Sequence, residues 1–244
     1  MSYPNLRWAA LGCAAVMAAM AAAAGGCGLV SSDVTNFDLT LPEKKFTIDA
    51  SGWDVQQTDA DKFTAISCGS NPSVCSSAVS QACTSGCSGT CNTTKSTCDL
   101  SLDVALSQPV NLMMDKPELK SINDEPVIKV TIDSVTYDVA SNSLNVATPV
   151  INVYVGATTV LKPNDPANPG TLIGTIPPIP AGQTTTGQTL MFTPTGKAEL
   201  IKFMSSFKTP FNVLVGSSLL ITAGQPVPTG KLEAVVHIKG HAGV

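Results

Sequence analysis

Residues 128–155 read IKVTIDSVTYDVASNSLNVATPVINVYV. Ile128, Val130 and Ile132 alternate with polar neighbours, and after Asp133-Ser134 the alternation resumes in the opposite phase at Val135, Tyr137 and Val139. A period of two marks a strand with one buried face, and a single bulge at Asp133-Ser134 keeps both triplets on that face. Ser141-Asn142-Ser143 then reads as a hairpin turn. The return strand begins at Leu144 and Val146, shifts phase near Pro149 and continues through Ile151, Val153 and Val155. Two long alternating strands joined this closely predict an antiparallel sheet.

The same period recurs on both sides. Asn36 to Leu41 alternates, Pro42-Glu43 interrupts it, and Lys45 to Asp49 resumes it, as a second strand or the continuation of a kinked first one. Leu100, Leu102, Val104 and Leu106 alternate beyond Cys98, with Asp99 and Asp103 expected on the outward face, where they solvate and protect an edge. Val110-Asn111-Leu112 follows a proline break, and Thr58 to Lys62 reads as a polar turn. In the charged connector 115–125, Asp124 and Glu125 would point to opposite faces of a strand, which makes them a poor acid–base pair. Downstream lie a proline-rich loop at 163–170 (PNDPANPG) and a rigid, extended edge segment at 174–182 (GTIPPIPAG).

One helix is expected. Pro194-Thr195-Gly196 starts it, Leu200, Phe203, Met204 and Phe207 follow at i, i+3, i+4 and i+7, and Pro210 stops it. Its apolar stripe suits a lid on one end of a sandwich. Phe211–Val215 and Lys231–Ile238 are the final strands, with Ser217–Ile221 a candidate third. The expectation is a mainly β chain, one antiparallel β-sandwich domain over residues 36–244 with one short helix and a cysteine-rich loop insertion at 68–98.

Ahead of this domain, residues 1–27 read MSYPNLRWAALGCAAVMAAMAAAAGGC. Arg7 precedes an apolar run, Trp8 to Ala24, of the length of a signal-peptide core, and Ala24-Gly25-Gly26 then leads into Cys27. The order resembles the lipobox of bacterial lipoproteins, with Ala24 where Leu is usual. That resemblance implies a signal peptide over 1–26, acylation of Cys27, with palmitate among the chains, and a lipidated tether over 27–35. Gly28 in place of Asp implies passage to the outer membrane of a Gram-negative bacterium. At about 0.8 kcal/mol per buried methylene, two or more acyl chains hold a protein durably at a membrane. The competing readings are a secretory signal cut at Ala22-Ala23-Ala24 and an uncleaved helix of 17 residues, the short limit for spanning roughly 30 Å of hydrocarbon.

With Cys13 lost in the signal and Cys27 acylated, the eight cysteines reduce to Cys68, Cys75, Cys83, Cys87, Cys91 and Cys98. An even number in an exported segment too poor in large apolar residues to build a core of its own predicts three disulfides, with fifteen pairings open. Zinc sites favour paired C-x2-C ligands. Here the gaps are six, seven, three, three and six residues and no histidine is near, so no metal is expected. Cys83, Cys87 and Cys91 have helical spacing, yet Gly86 and Gly89 argue for a knotted loop. Asp59 and Asp61 are too few oxygen donors for a calcium loop.

Removing residues 1–26 takes away only Arg7, leaving 13 lysines against 18 acidic residues, a net charge of −5. With no arginine and no basic patch, nucleic acid is not an expected partner. His237 and His241 are the only histidines, on a strand and its tail, and read as bystanders. No G-x-S-x-G elbow accompanies them, so neither catalytic residues nor a cofactor are expected.

Val135-x-Tyr-x-Val139, the Asn142-Ser143 turn, Val153-Tyr154-Val155, Ile179-Pro180-Ala181-Gly182, the helix and the closing Gly230-Lys231-Leu232-Glu233 strand together resemble the water-stress (WHy) and type-2 late-embryogenesis-abundant domains, over residues 127–240. The resemblance implies a fibronectin- or immunoglobulin-like sandwich with one short helix and no enzymatic activity. The expected function is that of a membrane-anchored, non-catalytic envelope lipoprotein acting as a structural or binding module. The alternative is an inhibitor-like surface protein that recognises an envelope protein through the loop 68–98.

Overall fold

In the computed structural model, which describes residues 36–117, 119 and 129–243, the alternating segments pair into two antiparallel sheets that enclose one core. The first sheet holds β1 (Asn36–Asp38), β2 (Lys44–Asp49), β5 (Lys129–Asn142), β8 (Thr185–Thr189) and β11 (Lys231–Gly243). The second holds β3 (Cys87–Asn92), β4 (Thr97–Val110), β6 (Ile151–Ala157), β7 (Thr171–Ile176), β9 (Met191–Phe192) and β10 (Phe211–Ile221), in the order β3-β4-β10-β6-β7-β9. The architecture is an antiparallel β-sandwich, as the alternation predicts.

β1 and β2 are successive pieces of one kinked edge strand. β2 pairs with residues 231–236 of β11. Beyond the Pro42-Glu43 interruption, Leu39 and Leu41 donate their N–H groups to the carbonyls of Gly240 and Ile238 on the same strand. The bulge in β5 also falls where the phase shift puts it. Ser134 faces Lys239 and Ile132 faces Gly240, so Asp133 is the extra residue, and Ile132 and Val135 are both buried.

Ser141-Asn142-Ser143 does not form a hairpin. β5 runs on through Asn142, whose side chain accepts from the N–H of Leu144 and donates to the carbonyls of Pro180 and Gln183. These bonds turn the chain out of the first sheet, so the return strand is delayed to Ile151 and belongs to the second sheet. Pro109 does not break β4 either. It pairs with Asn212 of β10, and the other flank of β4 is covered by β3 only as far as Leu102, so the missing N–H costs no ladder bond. β10 is one strand of 11 residues in place of two, and Phe211 to Gly216 is buried throughout because the proline-rich loop covers its outer face, with Pro163 over Gly216 and Gly170 over Leu214.

The helices exceed expectation: α1 (Gln57–Thr64), α2 (Ser73–Ala78), the single turn α3 (Leu112–Asp115) and α4 (Gly196–Ser205) lie among the described residues. α4 is the helix the stripe predicts, and Leu200 and Met204 are fully buried where it fits between β5 and β7. The segment read as a polar turn is the solvated face of α1, held by Gln57 to Asp61 and Lys62 to Asp59 contacts while Ala60 and Phe63 face inward. Ile128, Asp124, Glu125 and the whole of residues 1–35 lie outside the described residues.

Candidate functional site

The six clustered cysteines form three disulfides, Cys68–Cys91, Cys75–Cys98 and Cys83–Cys87. The segment is not a knotted loop. Cys75 sits on α2, Cys83 precedes the tight turn at Gly86, and Cys87 and Cys91 lie on β3, which pairs with β4 and so extends the second sheet. Cys91 and Cys98 are cross-strand neighbours, yet each bonds to the helical layer beneath, Cys91 to Cys68 after α1 and Cys98 to Cys75. Gly89 lets that layer close, since a side chain there would meet the Cys75 carbonyl and the Phe63 ring. Cys68, Cys75 and Cys98 are wholly buried, so the bridges serve as the core of a region with few large side chains. The sulfurs of Cys68, Cys75 and Cys91 lie within 4.8 Å of one another, near enough to share a metal, but each is bonded in a disulfide and offers no thiolate. Cys27 and Cys13 lie outside the described residues, as does the apolar run Trp8 to Ala24; among the described residues no helix is long and apolar enough to cross a membrane.

Asp103 is exposed on the outer face of β4 as expected, but Asp99 is buried. Asn92 on the paired strand donates to its Oδ2 at 2.9 Å, and Oδ1 has no hydrogen-bond partner among the described residues.

Both histidines stand on the outer face of β11, each against a carboxylate. His237 Nε2 is 2.9 Å from Asp138 Oδ2, with Glu43 Oε1 3.7 Å from Nδ1, and His241 Nδ1 is 3.1 Å from Asp133 Oδ1. The Gly187 N–H and His237 stabilise the Asp138 carboxylate and hold its pKa below the ordinary value. Carboxylates thus stand near both ring nitrogens of His237, whereas His241 meets one through Nδ1 alone.

A concave feature of the described surface lies at a seam of the sandwich. On the side of β5 and β7 the gap between the sheets is plugged by α4. On the side of β2 and β4 a cleft of about 220 Å³ remains, with Ile48, Trp53, Val104 and Leu106 as its floor and Thr47, Asp49, Ser85 and Asp103 at its rim. Its ends are fixed. At one, the Trp53 indole N–H donates to the Asp103 carbonyl at 3.0 Å. The other end of the seam is tied by the Lys44–Asp115 ion pair at 3.1 Å, between the start of β2 and α3, both side chains mostly buried. Asp49 also receives the Ser51 N–H and hydroxyl and pairs with Lys231 at 2.7 Å, and these contacts lower its pKa to about 2. Asp49 is therefore ionised at every physiological pH, with its charge matched by that of Lys231. Sequence reading missed this cleft; its one signal is Trp53, the only tryptophan outside the apolar leader, set beside Gly52.

The chain matches no family model, no curated protein and no solved structure.

Proposed function

We propose that this chain is an exported, non-catalytic binding module of the cell envelope, tethered by acyl chains on Cys27 to the outer membrane of a Gram-negative bacterium. The observation that carries the reading is the pairing of all six clustered cysteines with one another. Disulfides of this kind persist in oxidising compartments, which the apolar leader would supply as a signal peptide. They also leave Cys27 as the one mature thiol without a partner, which a lipid anchor uses. The seam cleft supports a binding role. An inhibitor-like use of 68–98 has less to stand on, because Cys68, Cys75, Cys83 and Cys98 are buried and its strand is part of the second sheet.

The test is the intact mass of the protein recovered from membranes. The expected species begins at residue 27, carries acyl chains and lacks six hydrogens, and Cys27→Ser yields none of it. A non-acylated chain beginning elsewhere overturns the anchor.

A further inference from the structure

The Asp99 carboxylate lacks a counter-charge among the described residues. It is 5% exposed, and the ion pairs of the described residues are all formed by other carboxylates. Lys95, the lysine of the adjoining turn, is exposed and enters none of those pairs. The group that does meet Asp99 is neutral: the Asn92 amide donates to Oδ2 at 2.9 Å and leaves Oδ1 bare. That amide is itself oriented, since its oxygen accepts from the N–H groups of Thr94 and Lys95. Burying a charge is costly, and proteins offset the cost by pairing it or by coordinating a metal.

Thr97 supplies a second observation. Its hydroxyl oxygen is also buried and also has no hydrogen-bond partner among the described residues. Thr97 and Asp99 alternate with Cys98 on β4, so their side chains leave the same face of the strand, with Cα atoms about 6.5–7 Å apart. A cation held about 2.3–2.6 Å from each oxygen bridges side chains at that spacing. A bridging water would satisfy both oxygens and leave the charge unmatched. The mount is rigid, because Asn92 pairs with Thr97 on one flank, Ser67 bridges to it on the other, and Cys98 is bonded to Cys75 beneath.

We infer that Asp99 Oδ1 and Thr97 Oγ1 are the protein ligands of a calcium ion on the β3–β4 hairpin, with water completing its shell. Both donors are oxygens, which selects a hard cation. Calcium accepts irregular oxygen sets, whereas magnesium demands near-ideal octahedral geometry. A single carboxylate puts the affinity with that of extracellular calcium modules, at about 10⁻⁴–10⁻³ M. The site depends neither on the lipid anchor nor on the seam cleft, whose lining contains neither residue.

The experiment is differential scanning calorimetry of full-length protein, first freed of metal with a chelator and then titrated with calcium chloride. The melting temperature should rise saturably, with its half-maximal effect at about 0.1–1 mM, and sodium chloride at matched ionic strength should not reproduce the rise. Asp99→Asn should abolish the response. Without calcium that variant should melt at or above the wild type, because an amide needs no counter-charge, so calcium should invert the order of the two. Thr97→Val should raise the calcium concentration required at least about tenfold, the effect that losing even a supporting partner has on a metal site. It also keeps the test open should Asp99→Asn not fold. Asp103→Asn, exposed on the same strand, is the control and should respond as the wild type does. A wild type that calcium does not stabilise, a rise equalled by sodium chloride, or a response unchanged in either site variant would each overturn the site.

Discussion

The indole N–H of Trp53 donates to the main-chain carbonyl of Asp103 across 3.0 Å, joining the short 3-10 turn after β2 to the middle of β4. Trp53 is 8% exposed, and its ring also stands against Gly86, the turn that brings Cys83 to Cys87. One side chain therefore fixes the cleft, the edge of the second sheet and the entrance to the disulfide layer. Trp53→Phe keeps most of the packing and loses the hydrogen bond, so a loss of about 1 kcal/mol is expected. Trp53→Ala leaves a cavity and should cost about 3–5 kcal/mol. Urea denaturation followed by circular dichroism distinguishes the two; equal losses would show that the bond, and not the ring, holds the seam.

The three disulfides should not contribute equally. Cys68–Cys91 and Cys75–Cys98 each close 23 residues of sequence separation, whereas Cys83–Cys87 closes four. Loop-closure entropy gives about 3.5 kcal/mol for the long loops and about 2 kcal/mol for the short one. Cys75 and Cys98 are also wholly buried. Paired Cys→Ala replacement of Cys75 and Cys98 should therefore lower the melting temperature well beyond replacement of Cys83 and Cys87, in differential scanning calorimetry under non-reducing conditions.

Strand identity is legible in this sequence wherever one sheet face is buried, because the period of two at Val130 to Val139 and at Leu100 to Leu106 has no other structural outcome. Even the Asp133 bulge follows from it. Connections are less legible. Ser141-Asn142-Ser143 has hairpin chemistry, and its destination depends on Asn142 reaching Pro180 and Gln183, residues about forty positions away. α1 is hidden because its buried face comprises only Ala60, Phe63 and Thr64. Pro109 reads as a break because no local pattern reveals that its flank of β4 is unpaired. The number of disulfides follows from parity, but their pairing depends on the α2 layer, which is built from serine, alanine and cysteine and gives no periodic signal. The cleft lies between β2 and β4, which begin at Lys44 and Thr97, and has no linear motif beyond Trp53.

Asp49 predicts the acid limb of the stability curve. Lys231 first, then the Ser51 side chain and N–H, hold its carboxyl at about 2 against an ordinary 3.8. A carboxyl whose pKa is depressed on folding stabilises the protein above its unfolded pKa, and that contribution disappears as pH falls through the folded one. The melting temperature of the wild type should therefore exceed that of Asp49→Asn by a constant margin from neutrality down to about pH 4, and the margin should close between about pH 4 and about pH 2. Lys231 mirrors this at the alkaline end. Its raised pKa makes its contribution complete below the ordinary lysine value and lost as pH rises through the folded one. A margin that persists unchanged at pH 2 would show that Asp49 acts through its Ser51 turn and not through its charge.

Gly196 opens α4, where replacement by alanine would ordinarily stabilise a helix by up to about 1 kcal/mol. Here the sign should reverse. A Cβ on Gly196 would lie 1.8 Å from the Ile173 carbonyl oxygen, and the atoms behind that oxygen are backbone of β7, which cannot turn aside as a flexible side chain can. α4 must either move off the seam, exposing Leu200 and Met204, or push β7 out of register with β6. Overpacking of this kind costs about 1–3 kcal/mol or more, so Gly196→Ala should lower the urea midpoint clearly at unchanged slope. Gly52→Ala is the matched control, with open space around the added methyl and a backbone that any residue adopts, and it should be neutral or stabilising by up to about 1 kcal/mol. If the two variants behave alike, α4 does not depend on close approach to β7, and the plugging of that seam would have to rest on Leu200 and Met204 alone.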